Sequence, residues 1–242
     1  MKIILTTLNS RYTHSSIGLR YLYANMKEFQ NKTKILEFNI NDALQSVAEK
    51  LLFENPDIIG IGVYIWNASE VFELIHILKK VSPKTKIILG GPEVTYPPYR
   101  INFGRADYII QGEGDIAFYE LCKKIIDNVD IADRIIKMTI PNLKELKLPY
   151  QYYTDNDIKN RYIYVELSRG CPFECEFCLS SMDERVRAFN LEEVLNEFQK
   201  LWDKGARSFK FVDRTFNLNM KTANMILDFF WKKSLHILPT LR

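Results

Sequence analysis

The sequence has few cysteines, little net charge and no long apolar run, and each shortage excludes a class of protein. Only 4 of the 242 residues are cysteine, which is too few for a disulfide-stapled scaffold. Lys+Arg (33) nearly balances Asp+Glu (30), so charge gives no reason to expect nucleic acid as a partner. The longest uncharged run, residues 58–69, is shorter than the roughly 20 residues that a membrane-spanning helix needs.

Motifs that hold nucleotide phosphates are also missing. No G-x-G-x-x-G follows the first predicted strand and no G-x-x-x-x-G-K-[ST] occurs, so neither a standard dinucleotide site nor a nucleoside triphosphate site is predicted. The N-terminus becomes polar too early for the apolar part of a secretory signal. We therefore expect a cytoplasmic protein with free thiols and no membrane partner.

Residues 1–140 alternate between short apolar runs and amphipathic segments. The runs at 58–63 (IIGIGV) and 86–89 (KIIL) are almost entirely apolar, which is typical of parallel strands covered on both faces. The alternation predicts the α/β class, with a doubly wound, Rossmann-like or flavodoxin-like domain over 1–140. Helices are expected over Ile17–Phe29, Asp42–Phe53, Ser69–Lys80 and Asp115–Ile126, with Asn41 or Asp42 and Ser69 as caps.

Ligands of such sheets bind beyond the carboxyl ends of the strands. Four predicted loops lie there: Asn9–Arg11, Tyr64–Asn67, Gly90–Pro92 and Gly112–Gly114. Glycine allows a backbone to approach a bulky ligand closely, although each of these glycines taken singly is more typical of an ordinary turn. Together on one rim, the loops favour a binding crevice.

Residues 141–160 are predicted to form a linker, because Pro141 and Pro149 interrupt helix and polar residues dominate the end. Its tyrosines, at 150, 152 and 153, are expected to pack across a domain boundary. Stacking on nucleic acid is the weaker alternative, since no basic stripe accompanies them. Residues 161–242 then read strand, helix, strand, helix, which is the start of a second parallel sheet or barrel.

Three of the cysteines, Cys171, Cys175 and Cys178, lie within eight residues, in a loop after a predicted strand. A structural zinc site needs four ligands, and no histidine or further cysteine is close in the sequence. Three thiolates fit a [4Fe–4S] cluster that leaves one iron open to a substrate or cofactor. A zinc site completed by a remote or partner ligand, and a chance cluster of free thiols, are the alternatives.

The three cysteines, with Phe177 just before the third, resemble the signature loop of the radical S-adenosylmethionine superfamily. The resemblance implies that the open iron binds S-adenosylmethionine through its amino and carboxylate groups. One-electron reduction then yields methionine and a 5′-deoxyadenosyl radical, with a flavodoxin or ferredoxin as reductant. It also implies that Phe177 flanks the adenine and that 161–242 begins a partial TIM-like barrel.

Residues 209–217 (FKFVDRTFN) resemble the second-strand motif of the branch with an N-terminal cobalamin-binding domain. This implies that Asp213 faces the cofactors; a helix-start carboxylate is the alternative. Residues 1–128 resemble the cobalamin-binding domain itself. The resemblance carries the cobalamin contacts over to these loop residues: Asn9, Ser10, Gly90, Gly91, Gly112, Glu113 and Gly114.

One departure from that domain concerns the axial ligand. The D-x-H-x-x-G motif is absent, because Tyr12 stands two residues before His14 and Gly18 comes one position late. Cobalamin is therefore expected to lack a protein histidine ligand. A second departure is length: the chain holds fewer βα units than the family's barrel, so a truncated barrel, or one completed by a second chain, is expected.

The sequence thus predicts a cobalamin-binding radical S-adenosylmethionine enzyme, with hydrogen abstraction and then methyl transfer as the expected chemistry. Two alternatives stay open: a radical S-adenosylmethionine enzyme without cobalamin, and a non-catalytic module that binds a metal or cobalamin. Neither the substrate nor a catalytic residue can be assigned, because fold and cofactor do not set them.

Overall fold

The computed structural model describes residues 1–96, 98–137, 140–179 and 185–235. The chain divides into two compact units, Met1–Tyr162 and Ile163–Arg242. Within the described residues, no helix is both long enough and apolar enough to cross a membrane.

A parallel six-stranded sheet forms the centre of the first unit, in the order β2-β1-β3-β4-β5-β6. The order reverses between β1 and β3, which makes that position the topological switch point. The predicted doubly wound α/β domain is confirmed. The strands are β1 (Ile3–Asn9), β2 (Thr33–Asn39), β3 (Ile58–Gly62), β4 (Lys86–Gly90), β5 (Tyr108–Gln111) and β6 (Ile135–Lys137). The apolar pattern does not predict β6, because its residues are largely exposed.

Helices cover both faces of this sheet. The strands bury alternate residues on opposite sides, so Ile4 packs with the cluster under α2 and α3, and Ile3 packs with the cluster under α1 and α5. Burial of each such aliphatic side chain contributes roughly 1.5–3 kcal/mol. The helices are α1 (Ile17–Ala24), α2 (Leu44–Phe53), α3 (Ala68–Val81), α4 (Pro92–Thr95) and α5 (Gly114–Ile126).

Three predicted helix boundaries are wrong. The first helix ends at Ala24 instead of Phe29, and a 3-10 helix follows at Lys27–Lys32. Asp42 caps no helix, because its carboxylate accepts a hydrogen bond from the backbone N–H of Asn39 and closes a turn. Ser69 lies inside α3, whose N-cap position is Asn67.

The segment 141–160, which the sequence predicts as a linker, lies within the first unit. It contains two 3-10 turns (Leu143–Glu145 and Tyr150–Tyr152) and α6 (Asp155–Asn160). The side chain of Asn25 binds Lys147 twice, accepting from its N–H at 3.0 Å and donating to its carbonyl at 3.2 Å. These contacts join residues far apart in the sequence. Composition does not reveal such contacts, so the sequence alone suggests a linker.

The tyrosines of this segment have contacts within the first unit. Tyr150 is fully buried. Tyr152 stands edge-on to Tyr23, with ring centroids 4.9 Å apart, and its hydroxyl accepts a hydrogen bond from Gln30. The guanidinium of Arg20 lies 4.5 Å from the ring centroid of Tyr153.

The second unit contains one parallel β-α-β arrangement. Strand β7 (Ile163–Val165) pairs with β10 (Phe209–Phe211), and α7 (Leu191–Asp203) connects them with Asn190 as its N-cap. Two short strands, β8 (Ser168–Arg169) and β9 (Arg187–Ala188), pair antiparallel. Helix α8 runs over Met220–Leu235. The predicted barrel region also includes 180–184 and 236–242, which lie outside the described residues.

Candidate cofactor-binding site

The carboxyl ends of the central strands lie at one edge of the sheet. The parallel register pairs Thr7 of β1 with Gly62 of β3, and Gly62 with Gly90 of β4. The loops that follow these strands therefore leave from the same edge, together with the loop after β5. This arrangement brings the predicted residues of the four loops to one rim.

Gly90 and Gly91 differ in what surrounds them. Gly91 has φ +110°, and a Cβ there would lie 2.4 Å from the carbonyl oxygen of Val63, so only glycine fits. A Cβ on Gly90 would meet nothing within 4 Å. Gly91 thus allows two backbones to approach each other, whereas Gly90 opens onto free space at the rim.

The loop after β5 is held through its backbone. Gly112 has φ +94°, and its N–H donates to the hydroxyl of Thr95 at 3.2 Å. Glu113 occupies the N-cap position of α5 without a side-chain capping bond. Gly114 begins α5, and a Cβ there would make an ordinary contact with Leu22 at 3.4 Å.

The loop after β1 begins with a buried asparagine. Asn9 is 6% exposed, and its amide donates to the carboxylate of Glu37 at 3.1 Å. Ser10, the next residue, is half-buried. His14 lies farther along this loop, where its N–H donates to the carbonyl of Arg11. Asn9 therefore supports the loop through Glu37.

Asn67, which the sequence does not single out, fixes the loop after β3. Its side chain is fully buried. The amide nitrogen lies within 3.0–3.2 Å of Thr7 Oγ1, Leu8 O and Gly62 O, and the amide oxygen accepts from the N–H of Tyr64 at 2.8 Å. The same side chain therefore ties the ends of β1 and β3 to the loop.

The loop that Asn67 fixes presents apolar surface at the rim. The rings of Tyr64 and Trp66 stack with centroids 4.6 Å apart and planes 4° from parallel. Ile65 is 60% exposed and Trp66 is 44% exposed. Exposed apolar side chains at a ligand-binding edge are typical of a site for a ligand with apolar faces. An aromatic pair directly after a buried strand was the sequence signal for them.

Replacement of Asn67 by leucine is expected to destabilise the first unit by roughly 2–4 kcal/mol, because the N–H of Tyr64 loses its acceptor and the carbonyl of Leu8 keeps only the indole N–H of Trp66. Urea unfolding of the full chain measures this. Asn41→Leu, at an exposed position, is the control and should stay within about 0.5 kcal/mol of wild type. Equal effects of the two substitutions would contradict the role given to Asn67.

A cavity of about 710 Å³ lies at the opposite edge of the sheet, beside the amino ends of the strands. Its lining includes Asp57, Lys86 and Asn128. None of the predicted site residues borders it. In doubly wound sheets the ligand edge is the carboxyl one, so we do not assign the cofactor to this cavity.

Asp213 follows β10 in the second unit and binds the chain that leads into the cysteine loop. Both of its carboxylate oxygens accept from the N–H of Leu167, at 3.0 and 3.1 Å, and one accepts from the hydroxyl of Ser168 at 2.8 Å. Burial raises the pKa of Asp213 above 3.8, against the effect of these hydrogen bonds. The helix-start alternative is wrong, because α8 begins only at Met220.

The cysteine loop contains a turn between its second and third cysteines, where the N–H of Cys178 donates to the carbonyl of Cys175 at 2.9 Å. Cys171 is buried, Cys175 exposed and Cys178 half-buried. Phe177 is 95% exposed. In the part of the chain that the structure describes, no group of three or more His, Cys, Asp or Glu side chains is arranged to hold a metal ion. The three cysteines thus share a loop without forming a closed ligand set.

Comparison with known proteins identifies the class of the first unit. Residues 3–122 match the family model of the B12 binding domain. The chain is 28% identical over 236 residues to an uncharacterized methyltransferase of Pyrococcus horikoshii, an alignment that covers 87% of this chain and 51% of the relative. The chain therefore spans about half the length of that relative.

Two solved structures share the fold. The radical S-adenosylmethionine methyltransferase TsrM of Kitasatospora setae, solved with cobalamin and a [4Fe–4S] cluster, matches with a TM-score of 0.73 and 16% identity, over 99% of this chain and 52% of TsrM. The cobalamin-dependent S-adenosylmethionine radical enzyme OxsB matches with a TM-score of 0.73 and 18% identity, over 94% of this chain and 36% of OxsB. At these identities the likeness to TsrM and OxsB shows a shared fold, and the match to the B12 binding domain covers residues 3–122 of the chain.

Proposed function

We propose that this chain binds cobalamin along the carboxyl edge of its six-stranded sheet and acts in radical S-adenosylmethionine methyl transfer. The observation that carries the proposal is that a single chain combines a B12-binding domain, over residues 3–122, with a C-x3-C-x2-C loop at 171–178. A corrinoid and an iron–sulfur cluster together supply chemistry that side chains cannot perform.

The edge fits a corrin in shape and polarity. A Cβ on Gly90 would meet nothing within 4 Å, so a ligand can approach the backbone there. Ile65 and Trp66 offer apolar surface beside it. The nucleotide tail of cobalamin would lie along the rim formed by the loops after β1 and β5, with no histidine from this chain as axial ligand.

The cysteine loop fits an iron–sulfur cluster through its donor chemistry. Cys171, Cys175 and Cys178 supply three thiolates, and an open iron would take S-adenosylmethionine. When bound, the cluster would supply the electron that cleaves the sulfonium. Phe177, nearly fully exposed, would flank the adenine. Asp213 would position the loop by holding the backbone N–H of Leu167 and the hydroxyl of Ser168, in place of the direct cofactor contact that the sequence resemblance implies.

The proposal is tested by anaerobic reconstitution of the full chain with iron, sulfide and cobalamin, followed by reduction in the presence of S-adenosylmethionine. We expect cobalamin to stay bound after gel filtration and 5′-deoxyadenosine to form. A flavodoxin or ferredoxin is proposed as the natural reductant. Cleavage without cobalamin retention would favour the cobalamin-free radical enzyme.

A non-catalytic binding module is the second candidate. It shares a cobalamin-binding first unit with the leading proposal, because residues 3–122 match the B12 binding domain, and it differs in the metal that the cysteines would hold. This candidate predicts zinc without sulfide on metal analysis and no cleavage of S-adenosylmethionine. Iron and sulfide in equal amounts would exclude it.

A further inference from the structure

Four charged side chains form a buried ion cluster in the first unit: Arg20, Glu37, Asp157 and Arg161, which are between 3% and 8% exposed. Arg20 binds Glu37 at 3.0 Å and Asp157 at 2.7 Å. Arg161 binds the same two carboxylates, at 2.7 and 2.9 Å. Two cations and two anions alternate, so each buried charge has opposite charges beside it.

Ionised carboxylates suit this cluster. Burial alone would raise the pKa of Asp157, but the charge of Arg20 and hydrogen bonds from Thr154 and Arg161 outweigh it and lower that pKa below 3.8. A buried ion cluster is nonetheless a weak source of stability, since well-packed apolar residues often stabilise as much. Stability alone therefore does not account for the ion cluster, but its hydrogen bonds to a neighbouring loop suggest a second role.

The ion cluster binds the backbone of the loop between β1 and α1, residues 10–16. Arg161 donates through Nε to the carbonyl of Tyr12 at 2.8 Å and through Nη2 to the carbonyl of His14. Glu37 accepts from the N–H of Ser16 at 2.5 Å. The guanidinium of Arg161 thus binds the loop through Nε and Nη2 and binds the two carboxylates through Nη1.

Tyr162 adds a second set of bonds to the same loop. Its N–H donates to the carbonyl of Thr13 at 2.8 Å, and its carbonyl accepts from the hydroxyl of Ser15 at 2.6 Å. The loop follows β1 at the switch point, so it borders the candidate cobalamin site. The ring of Tyr12 on that loop is 57% exposed.

We propose that Arg161, with Asp157, is a positioning residue for cobalamin: it fixes the loop 10–16 in the shape that borders the corrin. The inference rests on the proposed cobalamin site. Asp157 and Arg161 both lie outside residues 3–122, the range that matches the B12 binding domain. The cobalamin-binding unit of this chain therefore includes the segment up to Tyr162, and the loop depends on side chains more than a hundred residues away in sequence.

The test compares Arg161→Met and Arg161→Lys with Lys79→Met in the full chain. Lys79 is also a largely buried residue in an ion pair, bound to Asp107 at 2.5 Å and to the carbonyl of Thr85 at 2.7 Å. It lies near the opposite edge of the sheet. Three quantities are measured: the thermal midpoint, amide hydrogen exchange over residues 10–16, and the Kd for aquocobalamin.

Arg161→Met should speed exchange in the loop and raise the Kd, each by about tenfold or more. Lys79→Met should lower the thermal midpoint while leaving both quantities unchanged. Arg161→Lys keeps the charge but loses the forked geometry, so it should recover the thermal midpoint without recovering loop protection or affinity. If Arg161 served stability alone, the thermal midpoint, loop exchange and Kd would recover together in Arg161→Lys.

Two results overturn the inference. If Arg161→Met and Lys79→Met raise the Kd equally, or if loop exchange is unchanged in Arg161→Met, the ion cluster serves stability alone. A wild-type chain that binds no cobalamin overturns the proposed function, and the positioning role for cobalamin falls with it. In that case loop exchange that still depends on Arg161 shows that the failure lies in the ligand and not in the ordering of the loop.

Discussion

Cys175→Ala is expected to abolish cluster binding by the anaerobically reconstituted chain. Wild type should hold about four irons and equal sulfide, and the variant less than about one iron, because two thiolates cannot retain a cubane cluster that three hold. The visible absorption of the cluster should disappear with it. Iron and sulfide analysis together with the visible spectrum gives the result.

Cys122→Ala is the matched control. Cys122 is the fourth cysteine of the chain, fully buried in α5 of the first unit, where burial raises the pKa of its thiol and keeps it protonated. It should have no part in iron binding, so this variant should bind iron and sulfide as wild type does. Retention of iron by Cys175→Ala, or its loss in Cys122→Ala, would contradict the assignment of the cluster loop.

Gly91→Ala is expected to disrupt the folding of the first unit. The added methyl would lie 2.4 Å from a backbone oxygen of Val63, and the φ of +110° is strained for any residue with a side chain. Positive φ alone costs on the order of 1–3 kcal/mol, and the clash adds to it because a backbone atom cannot rotate away. Circular dichroism during urea or thermal unfolding should show a loss of roughly 3 kcal/mol or more, or no folded protein.

The neighbouring glycine provides the comparison for this variant. Gly90→Ala places its methyl where nothing lies within 4 Å, so stability should stay within about 1 kcal/mol of wild type. The two substitutions differ only in position along one loop. If both were tolerated, the close approach of the loops after β3 and β4 would not be as described.

The layered fold could be predicted from the sequence because its strands are buried on both faces. A run such as residues 58–62 has apolar or small residues at each position, and this pattern marks a central parallel strand without reference to distant residues. Strand β6 escaped the prediction because it lies at the sheet edge with exposed side chains, where no apolar period is required.

The packing of segment 141–162 on the first unit could not be predicted, because the contacts that attach it there are long-range. The bonds of Lys147 to Asn25 and of Arg161 to Glu37 span more than a hundred residues each. Polar composition and two prolines look the same in a free linker and in a packed segment whose polar groups find distant partners. The sequence therefore predicts a domain boundary near 140, while the compact unit extends to Tyr162.

The residues of the candidate site also fall into those with a local sequence signal and those defined by long-range contacts. The cysteine spacing and the glycine loops are local signals and were available from the sequence. Asn67 was not, since its amide joins Thr7 and Leu8 across about sixty residues. Asp213 was named for the right region, but its partners, Leu167 and Ser168, become evident only when β7 and β10 pair.

The most direct measurement is a spectrophotometric titration of the full chain with aquocobalamin, carried out beside Gly90→Leu. Wild type should form a saturable one-to-one complex. Gly90→Leu should have the same free energy of unfolding as wild type but bind aquocobalamin at least about tenfold more weakly. Its side chain would extend into the open space where we propose that the corrin lies. No saturable binding by wild type, or equal affinity in the two proteins, would contradict a corrin lying against the sheet edge.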